Sequence, residues 1–254
     1  MSETFKSQIK NLVDDLKAVF THVGLGGEAA EYKLLTQSFL YKFLNDKFLY
    51  QAKAIDASNS YEKLIDMSEE DYTWLLKFIG TSTAWLKPDQ LIETLHRQQN
   101  EATFYETFEN TLNQIAIDNN DIFSVHTDGD TAIRLFDERL ITDTISDSSK
   151  RNEVAKAIIN LLTRVKFDET IFSQGFDFFS TLFEYMIKDY NKDGGGKYAE
   201  YYTPHSVAKI IADILVGNDQ PSNVRIYDPS AGSGTLLMNL ASRIGVDKTT
   251  VYSQ

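Results

Sequence analysis

The sequence predicts an α-helical N-terminal domain followed by the start of an α/β domain. Apolar residues recur at three- and four-residue steps through most of residues 1–190, which is the spacing of amphipathic helices. The run from Asn191 to Gly196 ends in three consecutive glycines, which hold a regular element only at high cost. After this run, a short apolar stretch leads into a glycine-bearing loop and a new helical pattern, as in a parallel sheet. We therefore predict domains at residues 1–190 and 191–254.

The helical domain begins with two amphipathic stripes, at residues 5–19 and 35–44, which three glycines between residues 24 and 27 separate. Ser68 and Asp71 form an Asp version of a capping box, so a helix through Trp74 and Phe78 should follow. Further helices are predicted around residues 104–115, 154–165 and 179–187. The aromatic residues at helical spacing are interpreted as packing residues. Between residues 117 and 147, strand and loop stay undecided.

Composition indicates an ordinary globular protein, since 42% of its 254 residues are apolar and 24% are charged. Without cysteine, neither disulfides nor thiolate metal sites can form, and the four histidines lack ligand spacing. We therefore expect no bound metal. No apolar run approaches the ~18 residues that span a bilayer, and the polar N-terminus does not resemble a signal peptide. The expected location is the cytoplasm, with no membrane contact.

The formal net charge of -12 lies entirely in the predicted helical domain. Residues 1–190 hold 19 Lys and Arg against 31 Asp and Glu, whereas residues 191–254 hold 6 of each kind. Acidic surfaces repel phosphates, so the chain alone should bind nucleic acid poorly. If DNA is a substrate, a partner or a further segment must supply much of the contact.

The segment from Glu200 to His205 is the first candidate ligand site. Thr203 is placed as the N-cap, Pro204 as the first helical residue and Gly217 as the helix terminator. Backbone N–H groups at the helix start then suit an anion such as a carboxylate. Taken alone, the segment is more simply an ordinary capped helix. The apolar residues on one face of this helix are Val207, Ile210, Ile211, Ile214 and Leu215.

The second candidate site follows a predicted buried strand, Val224 to Tyr227, which ends at Asp228. Ligands gather at the carboxyl ends of parallel strands. Gly232 and Gly234 would let the backbone pass close to a ligand. The buried face of the next helix is predicted to contain Leu236, Leu237, Leu240 and Ile244.

Three kinds of glycine loop compete for this pattern. A P-loop needs Gly-Lys-Ser/Thr, but Thr235 follows Gly234 directly. A dinucleotide fingerprint needs a third glycine where the chain has Leu237. An acidic residue directly before the loop, here Asp228, resembles an S-adenosylmethionine site instead. A single Gly-x-Gly is weak evidence by itself.

Several segments in fixed order resemble the methyltransferase (modification) subunit of type I restriction-modification systems. The resemblance covers nearly the whole chain and is strongest from Phe172 onward. Its segments are Phe39 to Asp46, Phe176 to Phe179, Phe183 to Met186, Gly196 to Pro204, and Asp228 to Gly234.

The resemblance implies an adenine-N6 DNA methyltransferase that uses S-adenosylmethionine. The second domain would then be the start of a truncated Rossmann-like, S-adenosylmethionine-dependent methyltransferase domain. The implied partners are a DNA specificity subunit, a second copy of the methyltransferase subunit, a restriction (nuclease/translocase) subunit and double-stranded DNA. The residues implied to bind the cofactor are Glu200, Tyr201, Tyr202, Thr203, Pro204, His205, Asp228, Gly232, Ser233, Gly234 and Thr235.

The catalytic motif of that family, Asn/Asp-Pro-Pro-Tyr/Phe, does not occur in these residues. The four prolines are all separate, so no catalytic residue is assigned. Val251 to Gln254 is interpreted as the start of a second strand, with the expected ribose-binding acid falling beyond Gln254. We therefore expect an N-terminal portion of a longer protein that is inactive by itself.

Two alternatives stay open at this stage. The helical region, residues 1–190, could serve as a non-catalytic assembly module that docks the specificity subunit and other subunits and helps to form a clamp around DNA. A protein-glutamine methyltransferase has similar cofactor loops but usually lacks so long a helical domain before them. His205 is assigned no proton-transfer role, since a lone histidine in a first helical turn is more often a surface or cofactor-contact residue.

Overall fold

A computed structural model describes residues 3–81, 83–123, 125–126, 132–174, 203–232 and 234–254. Contacts divide the chain into two compact units, residues 2–172 and residues 173–254. The predicted boundary between residues 190 and 191 lies outside the described residues and stays a prediction, as does the predicted helix at residues 179–187.

The first unit is built mainly of α-helices, with one small antiparallel pair of strands. Strand β1 is Val125–His126 and pairs with β2, Ala132–Ile133. Short 3-10 turns lie at Pro88–Gln90 and Ser148–Lys150. The helices up to residue 174 are α1 (Glu3–His22), α2 (Ala29–Ile55), α3 (Tyr61–Ile65), α4 (Glu69–Ile79), α5 (Ile92–Gln98), α6 (Phe104–Asp118), α7 (Asn120–Phe123), α8 (Leu140–Thr144), α9 (Arg151–Leu162) and α10 (Glu169–Gln174).

The helices predicted from apolar spacing at residues 5–19, 35–44, 104–115 and 154–165 correspond to α1, α2, α6 and α9. Ser68 caps α4 as predicted, because its hydroxyl oxygen accepts the Asp71 N–H at 3.1 Å. The undecided stretch contains β1, β2 and α8. Two-residue strands are too short to leave a period-two signal, which explains why periodicity did not find them.

Aromatic and aliphatic side chains from α1, α2, α6 and α9 form the core of the first unit. Seven aromatic residues are essentially inaccessible to solvent, which confirms the packing interpretation for them: Phe20, Phe39, Tyr41, Phe48, Phe104, Phe108 and Phe136. Trp74 and Phe78 are exceptions, with 53% and 70% of their surfaces exposed. The prediction that helically spaced aromatics pack inside is therefore wrong for this pair, because α4 buries its other face through Tyr72, Leu75 and Ile79.

A buried ion pair crosses one turn of α2. Lys42 Nζ lies 2.9 Å from Asp46 Oδ2, and both side chains are almost fully buried. The Asp46 carboxylate also accepts the Phe167 N–H at 2.7 Å and the Asn45 amide at 2.8 Å. These contacts satisfy a charge that burial would otherwise make costly.

The second unit contains two helices and a parallel pair of strands. They are α11 (His205–Val216), β3 (Val224–Asp228), α12 (Thr235–Ile244) and β4 (Thr249–Ser253), with a 3-10 turn at Val246–Lys248. Strand β3 pairs in parallel with β4, Ile226 opposite Val251. Helix α12 packs against both strands and against α11. The buried residues Ile226, Leu237 and Ala241 form its small core, with Leu240 and Ile244 half-buried beside them.

Two details of the predicted second unit are wrong. Thr203 is not the N-cap, because the Pro204 carbonyl accepts the N–H groups of Val207 and Ala208; Pro204 is the cap and His205 the first helical residue. The strand before the loop is not buried throughout, since only Ile226 is inaccessible and Tyr227 is 60% exposed. Strand β4 pairs with β3 along one edge, and α12 packs against it.

Gly217 ends α11 as predicted, at φ 56°, and its N–H donates to the Asp213 carbonyl at 2.8 Å. Across the part of the chain that the structure describes, no helix is both long enough and apolar enough to cross a bilayer.

Candidate cofactor-binding site

The loop between β3 and α12 is ordered by the acid that precedes it. Asp228 Oδ1 accepts the Ser230 N–H at 2.9 Å, which is the local turn that aspartate side chains favour. The Gly234 N–H then donates to the Ala231 carbonyl at 2.8 Å. One carboxylate oxygen of Asp228 therefore fixes the start of the loop.

Two glycines give the loop its shape. Gly232 and Gly234 have φ values of 54° and 72°, a left-handed conformation that side chains disfavour. A Cβ added to Gly234 would meet no atom within 4 Å. The loop backbone is therefore open at Gly234, as an approaching ligand would require.

The carboxyl ends of both strands meet at this loop. The Gln254 N–H donates to the Asp228 carbonyl at 3.0 Å, and the Gln254 carbonyl accepts the Ala231 N–H at 3.1 Å. The Tyr227 hydroxyl donates to Gln254 Oε1 at 2.9 Å. Gln254, the residue after β4, thus lies directly beside the loop, at the edge where open α/β sheets bind ligands.

Helix α11 packs against α12 through small residues. Its buried residues are Ala208, Ala212 and Val216, one per turn along a single face. The larger apolar residues of the helix, which the sequence placed together on one face, are exposed by 39–74%: Val207, Ile210, Ile211, Ile214 and Leu215.

Arg243 joins the carboxyl ends of the two helices. Its Nε lies 2.8 Å from Asp213 Oδ1, and its Nη2 donates to the Gly217 carbonyl at 2.9 Å. Since the helices pack side by side and their carboxyl ends meet, they run in the same direction. Their amino ends, at His205 and Thr235, consequently lie at the same end of the helix pair.

Seven of the eleven predicted cofactor residues lie in the described part of the chain. Thr203 and His205 are half-buried and Pro204 is exposed at the start of α11. Asp228 and Gly234 are half-buried and Gly232 is exposed in the loop. Thr235, buried, begins α12. The remaining predicted residues lie outside the described part of the chain: Glu200, Tyr201, Tyr202 and Ser233.

Sequence reasoning missed two residues that hold this arrangement. Arg243 bonds to residues 26 and 30 positions away, and Gln254 bonds to residues 23–27 positions away. An exposed polar residue carries no periodic signal of such pairing. The four-residue spacing of Ala208, Ala212 and Val216 is the signal that could have identified the buried face of α11.

Comparisons with known proteins match both parts of the chain. Residues 174–253 match the family model described as N-6 DNA Methylase. The MpnII type I restriction enzyme methylase subunit of Mycoplasma pneumoniae is 25% identical over 229 residues, covering 87% of this chain and 40% of that protein. The MjaIX methylase subunit of Methanocaldococcus jannaschii is 24% identical over 137 residues, covering 49% of this chain and 24% of that protein.

A solved structure has a similar fold. The crystal structure of the type I restriction-modification methyltransferase subunit from Streptococcus thermophilus matches with a TM-score of 0.64 at 19% identity. The match covers 100% of this chain and 52% of that chain. This chain therefore spans about half or less of the length of each of these proteins.

The resemblance predicted from the sequence is thereby confirmed: the chain is similar to methylase subunits of type I restriction enzymes, and its residues 174–253 match the N-6 DNA Methylase family model.

Proposed function

We propose that the chain is the N-terminal part of a DNA methyltransferase subunit that transfers a methyl group from S-adenosylmethionine to adenine N6. The second unit is then the start of a Rossmann-like domain. The observation that carries this proposal is the shared direction of α11 and α12, which puts the His205 helix start and the Gly234 loop at one end of the pair. Residues 174–253, which include both, match the N-6 DNA Methylase model.

The described residues fit the cofactor at the loop. The backbone at Gly234 is open, and α12 begins directly after it, at Thr235, so the positive end of the helix dipole lies at the loop. Asp228 holds the loop through the Ser230 N–H. The segment Glu200 to His205 would line the other side, and S-adenosylmethionine, when bound, supplies the methyl group.

In this proposal, the residues of the chain position the cofactor and leave the reacting centre to later residues. Methylating a weakly nucleophilic amine depends strongly on holding donor and acceptor in line. The target adenine must also leave the duplex stack to reach the methyl group. In this proposal, residues at the carboxyl ends of the strands therefore hold the cofactor in the orientation that methyl transfer needs.

The test combines a longer polypeptide, continued past Gln254, with a specificity subunit, double-stranded DNA and methyl-labelled S-adenosylmethionine. Label should appear on adenine N6. Label on cytosine would contradict the proposal, and label on glutamine of a protein substrate would favour the protein-methyltransferase alternative.

Residues 1–254 alone are proposed to be inactive and to bind S-adenosylmethionine weakly or not at all. Only Ile226 of β3 is buried, and two strands rarely form a stable sheet by themselves. Calorimetry with the 254-residue chain should give little or no heat of binding, whereas tight binding or methylated DNA would refute this.

A second candidate function, compatible with the first, concerns the first unit. Residues 2–172 form a compact unit with their own core, while the excess acidic charge makes direct DNA binding unfavourable. We infer an assembly role, in complexes with a specificity subunit, a second methyltransferase subunit and, where one exists, a restriction subunit.

Deleting residues 1–172 from the longer polypeptide tests this role. Size-exclusion chromatography with the specificity subunit should show loss of the complex. Calorimetry of the protein that lacks residues 1–172 should still detect binding of S-adenosylmethionine. A complex of unchanged stability would remove the assembly role without affecting the methyltransferase proposal.

A further inference from the structure

Helix α4 presents two large aromatic side chains to solvent. Trp74 and Phe78 lie four residues apart, their ring centroids are 6.3 Å apart, and they are 53% and 70% exposed. The opposite face of α4 is already buried, so neither ring is needed for the described core. A contiguous exposed apolar surface of this kind marks a site of interaction, and tryptophan is enriched among the residues that dominate binding energy.

The Trp74 ring stands between two open depressions. One has a volume of about 660 Å³, and its apolar lining comes from Ile55, Met67, Leu75 and Phe78 together with Trp74. The other is lined by Glu69, Glu70, Thr73 and Lys77 together with Trp74. Side chains of a docked segment can therefore contact Trp74 from two sides.

Acidic residues surround these aromatic rings. Lys63 is paired with Asp56 at 2.9 Å, and Lys77 lies over the Trp74 ring with Nζ 4.8 Å from its centroid. Asp66, Glu69 and Glu70 are exposed. The five acids that line the two depressions outnumber the two lysines: Asp56, Asp66, Glu69, Glu70 and Asp71.

We propose that the Trp74–Phe78 surface docks a basic, amphipathic helical segment of a different protein. Apolar side chains of that segment cover the two rings, and its Arg or Lys residues face the surrounding acids. DNA is a poor occupant because the acids repel phosphate. A second copy of this surface would bring the same excess of acidic charge, so like charges would meet.

The test uses a fluorescein-labelled peptide of leucine and arginine, about 18 residues or five helical turns long, with leucines on one face. Fluorescence anisotropy with the 254-residue chain should show saturable binding that weakens as salt rises. The double change Trp74→Ala with Phe78→Ala should weaken binding roughly thirty-fold, as expected for a binding hot spot.

Matched variants separate docking from folding. Glu69→Gln with Glu70→Gln should weaken binding and flatten its salt dependence, whereas Asp14→Asn with Asp121→Asn, also exposed acids, should not. Ile117→Ala removes an aliphatic side chain that is 52% exposed elsewhere in the same unit and should also leave binding unchanged. Circular dichroism should show the same helix content and melting for every variant.

Three outcomes would overturn the proposal. The first is equal binding of an acidic peptide or of a scrambled basic peptide without an apolar face. The second is unchanged binding by the folded double aromatic variant. The third is a dimer in analytical ultracentrifugation that the aromatic changes dissociate, which would assign the surface to a second copy.

Discussion

Gly234 has a left-handed backbone conformation, and the position that a Cβ would occupy is open space. Its φ of 72° is left-handed, and no atom would touch an added Cβ. Gly234→Ala should therefore lower the free energy of unfolding of the second unit by about 1–2 kcal/mol, through backbone strain alone. In a polypeptide continued past Gln254, the new methyl group should also weaken S-adenosylmethionine binding, measured by calorimetry.

Gly217→Ala is the matched control for this change. Gly217 also has a positive φ, 56°, and open space over its Cα, but it lies at the far end of α11. Gly217→Ala should lower the free energy of unfolding of the second unit at least as much as Gly234→Ala does. It should leave the affinity for S-adenosylmethionine unchanged. Equal loss of affinity in both variants would mean that Gly234 acts through stability and not through contact.

The buried pair Lys42 and Asp46 gives a prediction for the first unit. Asp46→Ala leaves a buried ammonium without its carboxylate, which should cost about 3–5 kcal/mol in the free energy of unfolding. Glu138→Ala breaks the Arg134–Glu138 pair, which has the same i, i+4 spacing but is exposed, and should cost less than about 1 kcal/mol. Urea denaturation of both variants checks the difference, and similar costs would contradict it.

Among the elements, the pairing of α11 with α12 is the one on which the candidate site depends. Arg243→Ala removes both the bond to Asp213 and the bond to the Gly217 carbonyl. Because both bonds are exposed, the loss in unfolding free energy should be only about 1 kcal/mol. Cofactor affinity of the longer polypeptide should also fall, since the helix starts would separate more easily.

Two comparisons test that interpretation. Asp213→Ala keeps the bond to Gly217 and should have a smaller effect on thermal melting. Arg225→Ala changes an exposed arginine of β3 and should have almost none. If all three variants melt alike, Arg243 does not hold the helices together.

The main helices could be predicted because each has a buried face that repeats along the sequence. Helices α1, α2, α6 and α9 and the strand–loop–helix from β3 to α12 follow from such patterns. The short pair β1 and β2 has too few residues to show a period. The orientation of α11 could not be predicted, because its buried residues are small and its large aliphatic residues face outward.

The loop of the candidate site was predictable for a different reason. Gly232 and Gly234 stand where left-handed backbone is needed, and Asp228 stands where its carboxylate can reach the Ser230 N–H. These are local effects within a few residues. The contacts of Arg243 and Gln254 join distant residues, so they become visible only in three dimensions.

At the scale of the whole molecule, alkaline pH should destabilise the first unit. Burial, and secondarily the charge of Asp89, raises the pKa of Tyr41 and of Tyr72 above the ordinary value of 10.0. Above about pH 10 the unfolded chain loses phenolic protons that the folded unit retains, so stability present below pH 10 declines as pH rises. Thermal melting between pH 8 and about pH 11 should show this decline.

Variants isolate the tyrosine contribution. Tyr41→Phe loses a hydrogen bond to the Gln90 carbonyl, 2.6 Å long, and should be less stable at neutral pH but show a shallower decline above pH 10. Tyr105→Phe, whose hydroxyl bonds to Glu106 at the surface, is the control. A Tyr41→Phe profile parallel to that of the unchanged chain would contradict the assignment.

The bond from the Phe167 N–H to Asp46 spans 121 positions of sequence. During synthesis, α2 leaves the ribosome long before residue 167 has been added. The Asp46 carboxylate can therefore form its bond to the Phe167 N–H only late in the translation of the first unit. The first unit can therefore complete its core only near the end of its own translation, and nascent chains stalled before that point should expose the aromatic interior to chaperones.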